Sequence, residues 1–383
     1  MAASPIDAAR DLAPRIRARA DAIEAERRLP VDLVAALAAA GIFRMGVPRE
    51  LGGTELEPVA MLAVFEEIAH ADGSAGWCAM IGATSGLVSG YLPIEFAREI
   101  YADPTLVTGG VFAPTGRAVA VDGGYDVTGR WAFASGSEHC AWLMGGCVVT
   151  ENGAPRLLAS GAPDTRMMLF PAGEVEVIDT WTASGLRGTG SHDIRVARTF
   201  VPAGRSVSLI TDSPRASGTL YRFPVFGLLA LGIAAVALGI ARRAIDELVE
   251  LARAKTPTAS RRRLGERAAV QIDISGAEAA VRAARAFLVG EVERAWAVAE
   301  RGAIGLEQRT LLRLAATHAT TSAARAVDAM YNAGGGTSVY ATSPLQRCFR
   351  DVHVATQHMM VAPATYELVG RLLVGLETDT ALL

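Results

Sequence analysis

The residues best suited to chemistry lie in two stretches, and the first spans residues 124–142, GYDVTGRWAFASGSEHCAW. Large and small side chains alternate along it as in a strand, and then the side chains become small. The small residues leave backbone amides and one hydroxyl uncovered beside a large indole, which suits a flat heteroaromatic ring that docks edge-on to a strand. The candidate cofactor-binding residues are Trp131, Phe133, Ala134, Ser135 and Gly136. The alternative interpretation is an ordinary hairpin with a buried tryptophan.

The second stretch spans residues 181–193, WTASGLRGTGSHD, in which glycines alternate with hydroxyl residues and a single arginine. Such a loop exposes hydrogen-bond donors without bulk, and it therefore suits contact with a polar or anionic cofactor. The candidate cofactor-binding residues of this loop are Arg187, Gly188, Thr189, Gly190 and Ser191.

The order W-x-F-A-S-G and, fifty residues later, W-x-x-x-G-L-R-G-T-G-S-x-D resembles the flavin-contacting middle domain of the acyl-CoA dehydrogenase superfamily. The resemblance extends over nearly the whole chain and is greatest to the branch of two-component flavin-dependent monooxygenases. It implies reduced flavin, either FMN or FAD, as the cofactor, O2 as a substrate and a separate flavin reductase as a partner. It also implies that Ser135 hydrogen-bonds near the reactive edge of the flavin and contributes to catalysis.

A glycine-rich turn, residues 332–344 with the sequence NAGGGTSVYATSP, lies between two long helical patterns. In the superfamily the corresponding turn lies against the phosphate-bearing tail of the flavin and is often contributed by a neighbouring subunit. The resemblance therefore implies that Gly334 and Gly335 bind the cofactor. The alternative is a flexible loop with Gly334 as a helix C-cap.

The last helical pattern carries the candidate acid or base. In most acyl-CoA dehydrogenases a glutamate removes the substrate proton, commonly eight residues after the aspartate of an Arg-Asp pair. Here Arg350-Asp351 matches the pair and the eighth residue is Met359, a thioether that accepts no proton, so Met359 is a candidate substrate-binding residue. The preceding His358 resembles a histidine that faces flavin and substrate in the monooxygenase branch, where an imidazole with a pKa near 7 deprotonates a phenol-like substrate or stabilises a flavin hydroperoxide. The alternative for His358 is a satisfied core residue.

The first part of the chain contributes GWCAMIGATSG, with Trp77 and Thr84 as candidate substrate-binding residues. Aromatic hydroxylases of the branch often carry a further histidine where this sequence has Thr84. This departure argues against phenol ortho-hydroxylation and leaves N-oxidation, or oxygenation of a polycyclic or indolic metabolite, open. His139 and His192 are expected to be positional or surface residues.

Composition excludes several classes of function. The chain of 383 residues is 51% hydrophobic and 20% charged with a net charge of −3, which indicates a globular protein of more than one domain without a basic surface for nucleic acid or anionic membrane. The four cysteines form no CxxC pair, and no histidine–cysteine cluster has the spacing of a metal site. We therefore expect no metal and a cytoplasmic location.

The longest apolar run, residues 223–241, has no charge over 19 positions and is long enough to be considered as a membrane span. Its glycines and alanines favour close helix packing, and no second span accompanies it. The run therefore predicts a helix buried at the centre of a bundle.

These residues must be positioned by three kinds of element. We expect an all-helical domain at 1–105, a compact antiparallel β-barrel at 106–212 and a four-helix bundle at 213–383. The predicted helices are 6–29, 31–40, 56–71, 74–90, 94–101, 224–254, 265–301, 305–333 and 344–375. The predicted strands are 107–111, 125–134, 142–149, 167–170, 174–178 and 194–201.

The sequence therefore predicts a monooxygenase that uses reduced flavin from a reductase, and O2, to oxygenate a small aromatic, polycyclic or amine metabolite. No nicotinamide fingerprint of strand, GxGxxG and helix is present, which supports a separate reductase. The glycine-rich turn and the apolar helices further predict a homotetramer. The alternatives are an acyl-CoA dehydrogenase-type oxidoreductase acting on a CH–CH group and a flavin-binding protein without turnover.

Overall fold

The computed structural model of the protein describes residues 4–383 and begins with six α-helices. The helix predicted at 6–29 is two helices, because the chain leaves helical geometry at Arg19, and Arg27 then adopts a left-handed conformation with φ 55°. Two of the helices begin at side-chain caps, since Ser4 accepts from the amide of Asp7 and Asp72 accepts from the amide of Ala75. The helices are α1 (Pro5–Ala18), α2 (Ala20–Glu26), α3 (Val31–Ala39), α4 (Pro58–Ala71), α5 (Gly73–Ser85) and α6 (Ile94–Ile100).

The middle of the chain forms one sheet of eight strands. The strands are β1 (Thr108–Val121), β2 (Gly124–Ala134), β3 (Trp142–Glu151), β4 (Ala154–Pro155), β5 (Thr165–Pro171), β6 (Glu176–Ile178), β7 (His192–Pro202) and β8 (Ser206–Val207). Their order is β6-β7-β2-β1-β3-β5-β8, with β4 paired to β3. The six predicted strands correspond to β1, β2, β3, β5, β6 and β7.

The predicted antiparallel barrel is not confirmed. The path of paired strands in the described chain has two ends, and β1 pairs with β3 in parallel. The reason is that β3 does not fold back against β2 as a hairpin. A short turn carries the chain from β2 to the opposite side of β1, so β1 lies between its antiparallel partner β2 and its parallel partner β3.

Trp131 occupies a slot in the sheet that is lined by glycines. Its indole is fully buried, donates a hydrogen bond to the carbonyl of Gly146 at 2.7 Å and packs against Phe170 at 5.9 Å between ring centroids. A Cβ atom at Gly116, Gly129 or Gly145 would lie 2.3 to 2.5 Å from the indole ring. The three glycines are therefore required by the volume of one tryptophan.

The chain ends in five α-helices. They are α7 (Val225–Ala254), α8 (Ala268–Ala299), α9 (Leu306–Gly334), α10 (Pro344–Ala355) and α11 (Ala364–Leu373). The single helix predicted at 344–375 is wrong, because the chain turns between Thr356 and Pro363 and restarts at a proline that begins a helix readily. The predicted four-helix bundle is likewise not confirmed in detail, since two short helices stand in place of its fourth member.

Helix α7 is long and apolar enough to cross a membrane, yet 94% of its most apolar window is buried inside the fold. It packs against α4, α5, α9 and α10. This confirms the predicted buried helix, and α7 is the central core element that joins the two helical parts of the molecule.

Ion pairs join the end of α2 to helix α10 and to the edge of the sheet. Glu24 of α2 pairs with Arg347 at 2.7 Å and with Arg350 at 2.6 Å, both on α10. Arg27 pairs with Asp179, beside β6, at 2.6 Å. The division at 1–105, 106–212 and 213–383 stays a prediction, but the helices, strands and helices follow one another in that order.

Candidate functional site

The first wall of the site is the start of helix α5. Asp72 caps this helix, and five residues later Trp77 is 6% exposed, with its indole N–H pointing toward the sheet. Close packing of α5 against α4 is possible because a Cβ atom at Gly76 would lie 2.5 Å from Ala69. Gly76 therefore lets α5 lie close to α4, and this packing fixes the position of Trp77.

The second wall is the end of strand β2, where the backbone is unusual. Phe133 has φ 67°, a left-handed conformation that is uncommon for a residue with a side chain, and its ring is 69% exposed. The ring lies edge-on to Trp181 at 6.2 Å. Ala134 and Ser135 are buried behind it, and Gly136 has φ 69°. The predicted small-residue platform is thus a strand end with two left-handed residues.

The third wall is the loop between β6 and β7. Leu186 and Gly190 are left-handed, with φ 46° and 49°, and residues 187–189 form a single 3-10 turn between them. The loop packs tightly on α10, since a Cβ atom at Gly185 would lie 2.3 Å from the carbonyl of Arg350. The carboxylate of Asp351 accepts the amide hydrogen of Leu186 at 2.6 Å.

Hydrogen bonds join these three walls into one cluster. The indole nitrogen of Trp77 lies 3.1 Å from the Ser135 hydroxyl, which lies 2.6 Å from the hydroxyl of Ser191. Ser191 is in turn 2.6 Å from the Thr189 hydroxyl, and Thr189 donates to the carbonyl of Leu186 at 2.7 Å. Four residues predicted from separate motifs are thereby brought together.

His358 lies in the turn between α10 and α11 and adjoins this cluster. The centroid of its ring is 5.9 Å from that of Trp77. Its Nδ1 accepts the amide hydrogen of Met360 at 3.3 Å, which places the proton of the neutral ring on Nε2. Burial, and to a smaller extent the positive charge of Arg313, lowers the pKa of His358 to about 4. The expected pKa near 7 is therefore wrong, and the imidazole is a neutral hydrogen-bond donor.

Other predicted residues lie elsewhere. Trp131 is buried in its glycine-lined slot within the sheet. The buried hydroxyl of Thr84 donates to the carbonyl of Met80 in its own helix, about 10 Å along the helix axis from Trp77. Met359 is 62% exposed next to His358.

The remaining predicted residues border the cluster or lie apart from it. Arg187 lines a cavity of about 440 Å³ together with Arg27 and Asp179, and its Nε atom is buried without a hydrogen-bond partner. Gly188 packs against Ile23 of α2. At the end of α9, Gly335 and not Gly334 is the left-handed cap, with φ 58°.

Of the two histidines expected to be positional or surface residues, His192 is buried and His139 is partly buried. His192 accepts at Nδ1 from the amides of Thr180 and Trp181, each at 3.2 Å. Burial lowers the pKa of His139 to about 4, and its Nε2 atom has no hydrogen-bond partner in the described chain.

Two features of the site were missed from the sequence. Asp72 and Asp351 are both buried beside a cavity of about 190 Å³, and burial together with their mutual repulsion raises the pKa of Asp351 to about 7. Arg313 of α9 is 3% exposed, its Nε atom has no hydrogen-bond partner, and burial lowers its pKa to about 10. The Arg-Asp pair was the available signal for Asp351, whereas nothing in the sequence singles out Arg313 from the other arginines.

No group of three or more histidine, cysteine, aspartate or glutamate side chains within residues 4–383 is arranged to hold a metal ion. The four cysteines are buried and unpaired by disulfides. The polar side chains described at the site are hydroxyls, an indole, an imidazole, two guanidinium groups and the carboxyl groups of Asp72 and Asp351.

Comparisons with known proteins agree over nearly the whole chain. The family model for the N-terminal domain of acyl-CoA dehydrogenases matches residues 6–99, and the model for the C-terminal domain matches residues 231–363. An indole-3-acetate monooxygenase of Pseudomonas putida is 35% identical over 371 residues, which are 94% of this chain and 91% of that protein. A flavin-dependent monooxygenase, the oxygenase subunit HsaA of Mycobacterium tuberculosis, is 31% identical over 93% of this chain and 91% of its own length.

Solved structures give the same result. The crystal structure of the HsaA monooxygenase of M. tuberculosis aligns with a TM-score of 0.91 and 29% identity over 99% of both chains. XiaF from Streptomyces sp., solved in complex with FADH2 and glycerol, aligns with a TM-score of 0.89 and 26% identity over 98% of this chain and 96% of its own.

Proposed function

The chain belongs to the acyl-CoA dehydrogenase family and within it to the flavin-dependent monooxygenases, and from this premise we propose that it oxygenates a small aromatic substrate beside Trp77 and His358. It is an oxidoreductase whose cofactor is reduced flavin. The observation that carries the proposal is the contact between the Trp77 and His358 rings at one end of the hydroxyl cluster.

The residues at the end of strand β2 and in the loop between β6 and β7 fit a bound flavin. The buried Nε of Arg187 lacks a partner and lines a cavity, as expected of a cation that meets a polar or anionic ligand. Phe133 holds a strained backbone and an exposed ring, and strain of this kind is concentrated at ligand sites. Ser135 and Ser191 would face the ring system. Gly335, where a Cβ atom would meet no neighbour, would leave room for the tail.

Reduced flavin, when bound, supplies the electrons with which O2 is activated. The residues of the chain then position the substrate and keep water away. His358 offers Nε2–H as a neutral hydrogen-bond donor, which would hold an oxygen atom of the substrate or of the oxygen-derived group. Trp77 provides a buried apolar wall on which an aromatic ring can pack.

Arg313 supports a narrower class of substrate. A buried guanidinium is costly without an anionic partner, and no ion pair joins Arg313 to a carboxylate within residues 4–383. Its charge is close enough to lower the pKa of His358. We propose that it faces the acidic group of an aromatic acid, and the similarity to an indole-3-acetate monooxygenase supports an indolic acid as the first to test.

We also propose a redox partner and an assembly. The HsaA relative is named as an oxygenase subunit and a resorcinol hydroxylase of Rhizobium sp. as an oxygenase component, which supports electron delivery by a separate flavin reductase. We propose a cytoplasmic location for both proteins. Exposed apolar side chains near the glycine-rich turn and at the chain end, such as Tyr340, Leu373 and Val374, support a homotetramer built through the C-terminal helices.

The decisive experiment combines the protein with a purified flavin reductase, NADH, FAD or FMN and isotopically labelled dioxygen. Indole-3-acetate should yield a product that carries one labelled oxygen atom, while reductase without the protein should yield only peroxide. Arg313→Met should raise the KM for indole-3-acetate and leave that for uncharged indole nearly unchanged. The proposal fails if all electrons appear as peroxide with indolic, phenolic and amine substrates alike.

The rival activity of an acyl-CoA dehydrogenase has a separate test. The position of its usual glutamate is the exposed Met359, which cannot act as a base. Oxidised flavin on the protein should therefore keep its colour when mixed anaerobically with acyl-CoA thioesters. Rapid bleaching by any of them would replace the oxygenase proposal, and flavin binding without either reaction would favour the non-catalytic alternative.

A further inference from the structure

We propose that the hydroxyl cluster is a one-way hydrogen-bond chain that leaves Ser135 able only to accept, and that it thereby selects reduced over oxidised flavin. The chain runs from Trp77 through Ser135, Ser191 and Thr189 to the carbonyl of Leu186. The inference rests on the proposed function, because it takes Ser135 to be the residue that meets the reactive edge of the flavin.

The two ends of the chain fix its direction. An indole N–H can only donate, and a backbone carbonyl can only accept. Thr189 has one hydroxyl hydrogen, and the 2.7 Å contact between its oxygen and the carbonyl of Leu186 requires that hydrogen. At the other end the 3.1 Å contact uses the hydrogen of Trp77, so Ser135 accepts there.

The hydrogens between the ends then have a single arrangement. Because Thr189 spends its hydrogen on Leu186, the 2.6 Å contact between Ser191 and Thr189 must use the hydrogen of Ser191. The 2.6 Å contact between Ser135 and Ser191 must therefore use the hydrogen of Ser135. Three hydroxyl hydrogens fill three contacts, and the Ser135 oxygen keeps a lone pair but no free hydrogen.

Burial keeps water from changing this arrangement. The exposed fractions of Trp77, Ser135, Thr189 and Ser191 are 6%, 6%, 0% and 4%. The carbonyl of Leu186 also accepts from the indole of Trp181 at 3.1 Å, but a Thr189 hydroxyl that turned away would leave two oxygen atoms 2.7 Å apart with no hydrogen between them. A serine hydroxyl that turned away would leave a buried oxygen without its hydrogen bond. The direction is thus maintained by the cost of breaking any one contact.

The two redox states of a flavin differ in the hydrogen bonding of ring atom N5. N5 of the oxidised ring is a hydrogen-bond acceptor, whereas N5 of the reduced ring carries a hydrogen and donates. An acceptor-only Ser135 pairs with the reduced ring, and it opposes two lone pairs when it meets the oxidised ring. Ser191 and Thr189 are therefore positioning residues that act through Ser135 and favour retention of the reduced cofactor.

The test measures the Kd of FAD, and in parallel of FMN, in both redox states under anaerobic conditions. Ser191→Ala removes the partner that takes the hydrogen of Ser135, which is then free to donate. We expect the ratio of the oxidised to the reduced Kd to fall by about tenfold, the effect of one hydrogen bond of about 1.4 kcal/mol. Thr189→Ala should act in the same direction, since Ser191 can then donate back to Ser135.

Two controls separate this effect from general damage. Ser137→Ala removes a buried hydroxyl two residues away that has no hydrogen-bond partner, and it should leave the ratio unchanged. Trp77→Phe removes the donor at the start of the chain without releasing any hydroxyl hydrogen, so the ratio should not fall. A merely loosened site would weaken both redox states together and leave the ratio as it was.

The possible failures are distinguishable. If Ser135→Ala weakens reduced flavin but neither Ser191→Ala nor Thr189→Ala changes the ratio, the one-way chain is overturned and the flavin site stands. If Ser135→Ala alters the affinity for neither redox state, the flavin does not meet Ser135 and the proposed site falls with the inference. Thermal unfolding identifies a variant that does not fold. If either Ser191→Ala or Thr189→Ala fails to fold, the other variant still tests the hydrogen-bond chain.

Discussion

His358 is held as a neutral imidazole by its surroundings. The amide of Met360 occupies Nδ1, and burial together with the charge of Arg313 disfavours the imidazolium. A group with a pKa of about 4 is a weak base at neutral pH, so its contribution depends on the hydrogen on Nε2. His358 is therefore expected to act as a hydrogen-bond donor and not as the acid or base predicted from the sequence.

We expect His358→Ala to lower the rate of product formation by about a hundredfold or more while flavin still binds. His358→Gln keeps an N–H donor and should retain clearly more activity than the alanine variant. Because the imidazole of the wild type stays neutral, the pH–rate profiles of the wild type and of the glutamine variant should have the same shape between about pH 6 and pH 8. A limb near pH 7 that disappears in the glutamine variant would instead identify a titrating base.

Phe133 offers a test of backbone strain. Its left-handed φ of 67° costs about 1 kcal/mol or more for a residue with a side chain, and glycine adopts it freely. Phe133→Gly should therefore raise the free energy of unfolding by up to about 1 kcal/mol in urea titrations and weaken flavin binding. Phe200→Gly, at another exposed aromatic residue of the sheet whose φ is not positive, should instead destabilise the protein.

At the scale of elements, the site is the meeting of α5, the end of β2, the loop before β7 and the turn after α10. The carboxylate of Asp351 links two of these, because it accepts from the amide of Leu186. Burial raises the pKa of Asp351 most, and the negative charge of Asp72 raises it further. The positive charge of Arg350 lowers this pKa. The loop is thus held by a buried acid whose protonation changes near neutral pH.

The pH dependence of this contact has a definite sign. The pKa of Asp351 is raised from 3.8 to about 7 in the fold, so between these values the folded protein binds more protons than the unfolded chain. The associated stability is present at low pH and is lost as the pH rises through about 7. Asparagine still accepts from Leu186 but does not titrate, so the stability of Asp351→Asn relative to the wild type should increase from about pH 5 to pH 8. A relative stability that fell over this range in urea titrations would contradict the raised pKa.

At the scale of the whole molecule, the order of elements was accessible from the sequence, whereas pairing and contacts were not. Period and turn residues located α7, α9 and strands such as β2 within a few residues. The parallel pairing of β1 with β3 depends on which side of β1 the chain reaches after β2, and no local pattern encodes that choice. The break at 356–363 was missed because apolar residues continue through it. The sequence singled out Ser135, Thr189 and Ser191, but only the fold brings them to Trp77.

Assembly is tested most directly on the surface. Val374 near the chain end and Val31 at the start of α3 are both 73% exposed. If the C-terminal helices form the tetramer, Val374→Glu should reduce the mass measured by light scattering, because an interface would have to bury a charge. Val31→Glu should leave the mass unchanged. A wild type that is monomeric at all concentrations would rule out the predicted tetramer.

The slot around Trp131 has a genetic consequence. Since one indole fills the space left by Gly116, Gly129 and Gly145, a change of the tryptophan to a smaller residue leaves a void that larger side chains at those positions can refill. Suppressors of such a mutation should therefore be substitutions of these glycines by alanine or a slightly larger residue. The same substitutions should be harmful when the tryptophan is intact. We therefore expect substitutions at Trp131 and at the three glycines to be coupled. A change at any one of these positions alone should give a less stable protein.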